Sequence, residues 1–414
     1  MSQAGPGTLK VGAGLAEHAD AVTAAERACD AVLASLGDGP DPDLVILFVS
    51  FQHADLMGAI GDVAHRRLSP GVMLAVSAEA VVGGSIELEG APGVSMLALR
   101  MPGVAVRPFT SEDLPAGEGE EAAAEKIATA LNVGGDLRAV LLFADPFSVP
   151  LVRLLPAMSR MCRLLGVRRA PIIGGMASAG SAPGSNGLVI NKRLSRTGAI
   201  GVTLRGDIAV DTLVSQGCKP FGPPLVVTGA RHNVVFSLSG QPALQALHEA
   251  IEALAPEDRR LLERGVFLGR VVNEYKDRFG RGDYLIRNVV GVDQSRSALA
   301  VADMLRVGQT VRFHLRDAVT ADEDLRLLLA AQRLRDPALG VLLCTCNGRG
   351  TRLFEGKHHD ASLICDALAE ESGVRPPLAG FFAAGEIGPI GDEAFIHGQT
   401  ASAAIFRSRG IAED

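Results

Sequence analysis

A cysteine and an arginine stand close together after an apolar segment in the C-terminal third of the 414-residue chain. The segment Gly340–Cys346 runs directly into Asn347, Gly348 and Arg349. An arginine near a thiol favours the thiolate, which is the nucleophilic form of cysteine. Cys346 is therefore a candidate nucleophile. The alternative is a small buried apolar side chain without chemistry.

Three further titratable side chains are expected around the same strand end. His359 and Asp360 begin the next helical segment, and Glu386 follows Gly385 in a glycine-rich stretch. A carboxylate and a guanidinium at one pocket mouth suit a zwitterion such as an amino acid. The alternative is a structural salt bridge between adjacent loops, which contributes only about 0–1 kcal/mol when it is exposed.

Another glycine-rich segment contains Gly174, Gly175 and Ser178. Backbone N–H groups exposed in such a loop bind carboxylate or phosphate groups. Ser178 does not occupy the nucleophile position of a strand-to-helix elbow, so a loop with a polar tip is the alternative.

Residues 11–17 look like a loop between strand and helix that begins a dinucleotide fingerprint. They lack its third glycine and its acidic residue, so no nucleotide cofactor is expected.

Composition and charge exclude several classes of function. The chain has a net charge of −7 and a pI near 5.8. This acidic balance argues against a nucleic-acid-binding protein, which needs a basic surface. The most basic run, three arginines within residues 163–169, is interpreted as the solvated end of a helix. The sequence shows no signal-peptide pattern and no apolar run of the ~18 residues that span a membrane. Six scattered cysteines match neither a disulfide framework nor a zinc site. We expect a cytoplasmic protein without metal or cofactor.

The elements that must position these residues alternate between apolar strands and helices. Near-continuous apolar runs at residues 44–51, 139–144 and 340–346 predict strands that are buried on both faces. A helix, a second strand with proline near its start, and an apolar return strand follow each run. The predicted helices cover residues 54–67, 149–165 and 359–371, and the return strands cover residues 94–99, 199–204 and 401–406. This order predicts an α/β or α+β fold, with mixed sheets covered by helices in two tightly packed halves.

The strand–helix–strand–return unit is repeated. Pro171, Gly174 and Ala177 each recur as the same residue type 206 positions later, and a weaker first copy starts at Pro70. Chance similarity among short apolar strands is the alternative to duplication. Repetition would bring several strand ends together where a pocket can form.

Taken in order, five motifs resemble those of the FIST family. They are Pro171 to Ser178, Val214 to Gly222, Cys346 to Gly350, His359-Asp360, and Gly380 to Pro389. The resemblance runs from about residue 10 to residue 408. It implies a FIST N-like domain over residues 8–232 and a FIST C-like domain over residues 233–410. It also implies a small-ligand sensory domain, proposed to bind compounds such as amino acids. No signalling output segment is readable, so signalling is expected through a partner protein or by oligomerisation.

These observations together predict a non-catalytic sensory protein that binds an amino acid or a similar small carboxylate. Backbone N–H groups would hold the anionic group, and Glu386 the cationic group. The expected ligand-binding residues are Gly174, Gly175, Ser178, Cys346, Asn347, Gly348, Arg349, His359, Asp360, Gly385 and Glu386. Two alternatives stay open. One is an enzyme that uses Cys346 with His359 or His397 as base, and the other is a scaffold that recruits proteins through its return strands.

Overall fold

A computed structural model describes residues 8–115 and 120–409 of the chain. The protein divides into two compact units. The first contains the described residues within 1–214, 326–396 and 400–414, and the second contains residues 215–325 and 397–399. Residue 410, where the expected second family part ends, lies outside the described residues. No helix in the described ranges is both long and apolar enough to cross a bilayer.

The first unit consists of three copies of one order of elements: strand, helix, strand, helix, strand, hairpin, return strand. The first copy contains β1 (Lys10–Glu17), α1 (Ala21–Leu36), β2 (Leu44–Ser50), α2 (Met57–Leu68), β3 (Val72–Ala78), β4 (Val81–Gly83), β5 (Ile86–Leu88) and β6 (Gly93–Arg100). The second contains β7 (Val104–Thr110), α3 (Glu120–Leu131), β8 (Leu137–Ala144), α4 (Leu151–Leu164), β9 (Ile172–Met176), β10 (Leu188–Ile190), β11 (Arg193–Ser195) and β12 (Ala199–Gly206). Short 3₁₀ turns occupy Phe51–Leu56 and Ser111–Asp113.

The third copy has the second unit inserted after its first strand. It begins with β13 (Ala209–Gln216) and resumes at α6 (Ala318–Gln332). The elements of the inserted unit are β14 (Cys218–Arg231), β15 (Val234–Leu238), β16 (Gln241–Pro242), α5 (Ala243–Glu252), β17 (Val266–Val271), β18 (Tyr284–Asp293), β19 (Ala298–Val301) and β20 (Thr310–Arg316), with 3₁₀ turns at Pro256–Arg264 and Arg281–Asp283. The third copy continues with β21 (Gly340–Cys346), a 3₁₀ turn (Gly350–Arg352), α7 (His359–Ala367), β22 (Leu378–Ala383), β23 (Glu386–Ile390), β24 (Glu393–His397) and β25 (Thr400–Arg407).

The pairing of strands is the same in each copy. The second and third strands are parallel in β2–β3, β8–β9 and β21–β22. The return strand is antiparallel to the second strand in β6–β2, β12–β8 and β25–β21. Parallel neighbours require a crossover connection, which the intervening helix provides. The predicted α/β class and the predicted strand–helix–strand–return unit are confirmed.

Each copy extends the sheet of another copy through its hairpin. Strand β4 pairs with β22, β10 pairs with β3, and β23 pairs with β9, so the three copies are joined in a closed ring. The inner faces of the three sheets share one apolar core. Phe48, Phe143 and Phe381, one from each copy, meet there with ring centroids 4.8 to 6.0 Å apart. Helices α1 and α2 cover the outer face of the first sheet, and α3 and α4 cover that of the second.

Two glycines occupy equivalent positions in the repeated segments of the second and third copies. A Cβ atom at Gly174 would lie 1.9 Å from the carbonyl oxygen of Leu142, and one at Gly380 would lie 1.9 Å from that of Leu343. Each glycine therefore lets two parallel strands approach closely.

The N-terminal glycines lie inside a strand, which corrects the view of residues 11–17 as a loop between strand and helix. Gly12 and Gly14 are part of β1. A Cβ atom at Gly14 would meet the carbonyl oxygen of Ala28 at 2.2 Å. These glycines allow α1 to pack against the strand, and this packing accounts for the resemblance to a nucleotide motif.

Candidate functional site

The candidate site lies where elements of the second and third copies meet. Cys346 ends β21 opposite Ala383 of the parallel strand β22. Glu386 opens the next strand, β23, and pairs with Gly175 of β9. A tight turn follows β21, in which the backbone N–H of Arg349 donates to the carbonyl oxygen of Cys346 at 2.7 Å. This turn directs the arginine back into the protein interior.

Arg349 is fully buried and forms a bidentate pair with Asp360. Its Nε and Nη2 atoms donate to Oδ2 and Oδ1 of Asp360 at 2.6 and 2.7 Å. The hydroxyl of Thr345 donates to the same carboxylate at 2.8 Å, and Nδ1 of His359 lies 3.0 Å from Oδ1. The Arg349 guanidinium carbon also lies 5.3 Å from the ring centroid of Phe354. Burial alone would raise the pKa of Asp360, but the charge and hydrogen bonds of Arg349 hold it well below its usual range.

Glu386 is also fully buried and is held through one oxygen. Its Oε2 atom accepts hydrogen bonds from the backbone N–H of Thr400 at 3.1 Å and from the Thr400 hydroxyl at 2.6 Å. Burial raises the pKa of Glu386 to about 8, although the Thr400 bonds, the Arg349 charge and the Cys346 thiol all act to lower it. A carboxyl group with this pKa is largely protonated at neutral pH.

A third carboxyl group, Glu87, comes from the hairpin of the first copy and was missed by the sequence analysis. It lies on β5, and its Oε1 atom accepts a hydrogen bond from the backbone N–H of Ala361 at 2.9 Å. Burial and the negative charge of Asp360 raise the pKa of Glu87 to about 8, and Arg349 opposes this shift. In the sequence Glu87 stands in the short segment Ile86-Glu87-Leu88-Glu89, with nothing to indicate a partner 274 positions away.

Four buried polar atoms in this neighbourhood have no hydrogen-bond partner among the described residues. They are Oε2 of Glu87, Oδ1 of Asn347, Nη1 of Arg349 and Oε1 of Glu386. An unsatisfied buried group costs about 1–3 kcal/mol, and more when it is charged. The set offers one cationic donor and three acceptors, so it has the capacity to bind a small molecule with groups of both kinds.

The remaining predicted residues of the second copy mainly hold strands together. The hydroxyl of Ser178 donates to the carbonyl oxygen of Phe382 at 2.5 Å and accepts from the backbone N–H of Glu79 at 2.9 Å. The backbone N–H of Ser178 donates to Ser77, and that of Met176 donates to Gly385. These contacts hold β9 and the residues after it against the first and third copies.

The turn after β21 also uses its backbone N–H groups internally. That of Gly348 donates to the Cys346 sulfur at 3.4 Å, and that of Arg349 is engaged as described above. The sequence predicts that such groups hold an anion. The unpartnered Nη1 atom of Arg349 is a better candidate for that role.

Exposed contacts hold the outer part of the same turn. The carboxylate of Glu89 accepts from the backbone N–H of Thr351 at 3.0 Å and from its hydroxyl at 2.8 Å. Arg352 pairs with Glu79 and donates to the backbone oxygen of Asn347 at 2.9 Å. The turn that carries Arg349 is therefore tied to the first copy by two charged side chains.

The histidines considered as bases lie in different surroundings. His359 stacks on Phe354 with ring centroids 3.5 Å apart, and its side chain is 18% exposed. His397 is buried in the second unit. Cys346 is only 8% exposed. Within residues 8–115 and 120–409, no three histidine, cysteine or acidic side chains are placed to hold a metal ion.

Comparison with known proteins identifies the family. The FIST N domain matches residues 43–241, and the FIST C domain matches residues 243–389. The chain belongs to the FIST family, whose domains are sensory domains of signal transduction. The N-terminal match covers most of the first two copies and the start of the inserted unit, and the C-terminal match covers the rest of that unit and most of the third copy. The family parts and the compact units thus divide the chain differently.

Similar proteins come from mycobacteria. Uncharacterized proteins of Mycobacterium tuberculosis and Mycobacterium bovis are each 36% identical to this chain over 400 residues. The alignments cover 96% of this chain and 99 to 100% of the relatives. A crystal structure of cyanuric acid hydrolase from A. caulinodans aligns over 97% of this chain and 100% of its own length. Its sequence identity is 9% and its TM-score is 0.35, which is too low to support any inference.

Proposed function

We propose that this protein is a non-catalytic sensor of a small zwitterion such as an amino acid, which binds between Arg349 and Glu386. The observation that carries the proposal is that both side chains are fully buried and each retains one atom without a hydrogen-bond partner in the described part of the chain. Buried polar atoms are nearly always satisfied, so such a pair favours a bound polar molecule.

The arginine supplies the anion-binding half of the site. Asp360 occupies Nε and Nη2, which leaves Nη1 as the donor for a ligand carboxylate. Charge-assisted hydrogen bonds of this kind are about twice as strong as neutral ones. Because Asp360 holds the guanidinium plane in place, little conformational entropy is lost when the ligand binds.

The glutamates supply the cation-binding half. Thr400 fixes Glu386 through Oε2, so Oε1 is left to accept from an ammonium group. Oε2 of Glu87 is a second acceptor in the same neighbourhood. A cationic group next to these carboxyl groups would lower their raised pKa values and stabilise their charged forms.

A thermal-shift screen of the common amino acids and small carboxylates tests the proposal. The variants are Arg349→Lys, which retains a charge for Asp360 but lacks the guanidinium fork, and Glu386→Gln, which retains an acceptor for Thr400. Matched controls are Arg375→Lys and Glu393→Gln, because both residues form exposed ion pairs. We expect a ligand that stabilises the wild type and both controls, with affinity about tenfold weaker in each site variant.

Two results would refute the proposed site. One is a panel in which no compound raises the melting temperature of the wild type. The other is a ligand that stabilises the site variants as strongly as it stabilises the wild type.

The absence of catalysis is part of the proposal and has its own test. The thiol of Cys346 is only 8% exposed, so a reagent in solution has little access to it. We expect iodoacetamide to modify Cys346 at pH 7 no faster than it modifies a simple thiol. Much faster labelling would instead favour a cysteine-dependent enzyme, and a pull-down that recovers a stable partner without ligand would favour a scaffold.

We expect the protein to act in the cytoplasm. It would pass its signal to a partner protein or through oligomerisation. All six cysteines lie in the described ranges and none forms a disulfide, as is usual in a reducing compartment. The turn that carries Arg349 is the proposed element of signal transfer, because exposed contacts from Glu79 and Glu89 hold it. A ligand that enters beneath this turn would strain or release those contacts.

A further inference from the structure

The first unit has a large groove at the ends of β8 and β9 that are remote from the candidate site. Its volume is about 960 Å³. The loop from Gly166 to Pro171 forms one wall, and the β23–β24 turn around Gly391 forms another. Strand β23 begins at Glu386 and ends at this groove, so the two features occupy opposite ends of one strand.

The groove has an excess of positive charge. Of the described residues, five arginines line it, namely Arg138, Arg168, Arg169, Arg335 and Arg409, together with three acidic residues, namely Asp211, Asp392 and Glu393. Asp211 is already bound by Arg335 at 2.6 Å and by Arg407 at 2.8 Å. Glu393 is bound by Arg163 at 2.8 Å. A cationic groove on a chain with a net charge of −7 concentrates anions locally.

Arg168 and Arg169 are the lining arginines most available to a ligand. Both are exposed, and neither has a hydrogen bond or an ion pair with a described residue. The sequence pattern of three arginines within residues 163–169 favours the solvated end of a helix. The structure places Arg163 in the last turn of α4, and Arg168 and Arg169 after this helix on the rim of the groove.

We propose that this groove is a second binding site, for a small molecule that carries two or more phosphate groups. The planar guanidinium fork of arginine binds phosphate oxygens in a bidentate manner. The volume lies within the usual range of small-ligand sites. No aromatic side chain is present among the described lining residues, so the groove has no stacking surface for a nucleobase. The recognised feature is therefore the phosphate groups themselves.

Titration calorimetry with inorganic tripolyphosphate at constant ionic strength tests this site. The groove variant is Arg168→Gln/Arg169→Gln, and the matched control is Arg66→Gln/Arg153→Gln, which removes two exposed charges from α2 and α4. We expect saturable binding to the wild type, binding about tenfold weaker or more in the groove variant, and no change in the control. The single variants Arg168→Gln and Arg169→Gln replace the double variant if its circular dichroism spectrum is altered.

Three outcomes would overturn the proposal. They are an absence of saturable binding, equal weakening in the groove variant and the control, and citrate binding as tight as that of tripolyphosphate. The last would show that the groove selects for charge and not for phosphate. Arg349 and Glu386 are unchanged in both double variants, so we expect both variants to bind the proposed zwitterion as the wild type does. A failure of the groove proposal can therefore be distinguished from a failure of the proposed zwitterion site.

Discussion

Arg349 binds both carboxylate oxygens of Asp360, through Nε at 2.6 Å and Nη2 at 2.7 Å, in a pair that is almost wholly inaccessible to solvent. This contact determines what else the arginine can do, because Nη1 is the guanidinium nitrogen left without a partner among the described residues. One side chain thus contributes to the stability of the third copy and to its capacity to bind an anion.

Replacement of Asp360 by asparagine should strongly destabilise the protein. The variant leaves the charge of Arg349 buried without its partner, and breaking a buried ion pair in this way costs about 3–5 kcal/mol. Urea unfolding measures the loss. The control is Asp366→Asn, which breaks an exposed pair with Arg375 and should cost less than about 1 kcal/mol. Equal effects of the two substitutions would contradict the energetic role given to Asp360.

The stability of the protein should depend on pH through Glu386. Its pKa is about 8 in the folded protein, whereas an unfolded glutamate titrates at its ordinary value of 4.5. Between these values the folded state holds a proton that the unfolded state lacks. The free energy of unfolding therefore falls as pH rises, by up to about 1.4 kcal/mol per pH unit for one such group.

The Glu386→Gln variant tests this dependence, because glutamine does not titrate. Its free energy of unfolding should rise relative to that of the wild type as pH increases from about 5 to about 8. Urea unfolding at several pH values provides the comparison. Glu87 has a similarly raised pKa and remains in the variant, so part of the pH dependence should persist. Parallel pH profiles for the two proteins would be inconsistent with a protonated Glu386.

Binding of an amino acid should release a proton at neutral pH. Glu386 is largely protonated there because its pKa is about 8, but an ammonium group pairs with the carboxylate form. Calorimetry in buffers of different ionisation enthalpy should detect release of about one proton per ligand at pH 7, and the affinity should increase toward pH 8. The Glu386→Gln variant should release fewer protons, because only Glu87, whose pKa is also about 8, remains to lose one. An affinity of the wild type that is independent of pH would argue against contact between the ammonium group and Glu386.

The two equivalent glycines of the second and third copies should be equally intolerant of alanine. A Cβ atom at Gly174 or at Gly380 would overlap a backbone carbonyl oxygen, and backbone cannot move aside as a flexible side chain does. Each substitution should cost about 3 kcal/mol or more. Gly356→Ala is the control, because no atom lies within 4 Å of its added methyl group. Thermal unfolding of a Gly380→Ala protein at the wild-type temperature would refute this account of the repeat.

Much of the repeated unit could be predicted because its signal is local. Continuous apolar runs, proline near the start of the second strand and small residues in the return strand are all readable from short segments. The proximity of Arg349, His359 and Asp360 was also readable, since they are close in sequence and follow one strand. Their role in binding stays a prediction.

The exchange of hairpins between copies could not be predicted. Strand β4 has three residues, too few to show a period, and its partner β22 lies almost three hundred residues further along the chain. Glu87 lies on this hairpin, so its position in the site could not be predicted from the sequence. The insertion of a second unit between β13 and α6 of the third copy could not be predicted either. The strands and helices that flank the insertion have the same sequence patterns as other elements of the chain.

A crystal structure of the protein with the amino acid that gives the largest thermal shift tests the central claim most directly. We predict density for the ligand carboxylate at hydrogen-bond distance from Nη1 of Arg349, and for its ammonium group at hydrogen-bond distance from Oε1 of Glu386. Density for water alone at these two atoms, with the ligand bound elsewhere, would contradict it.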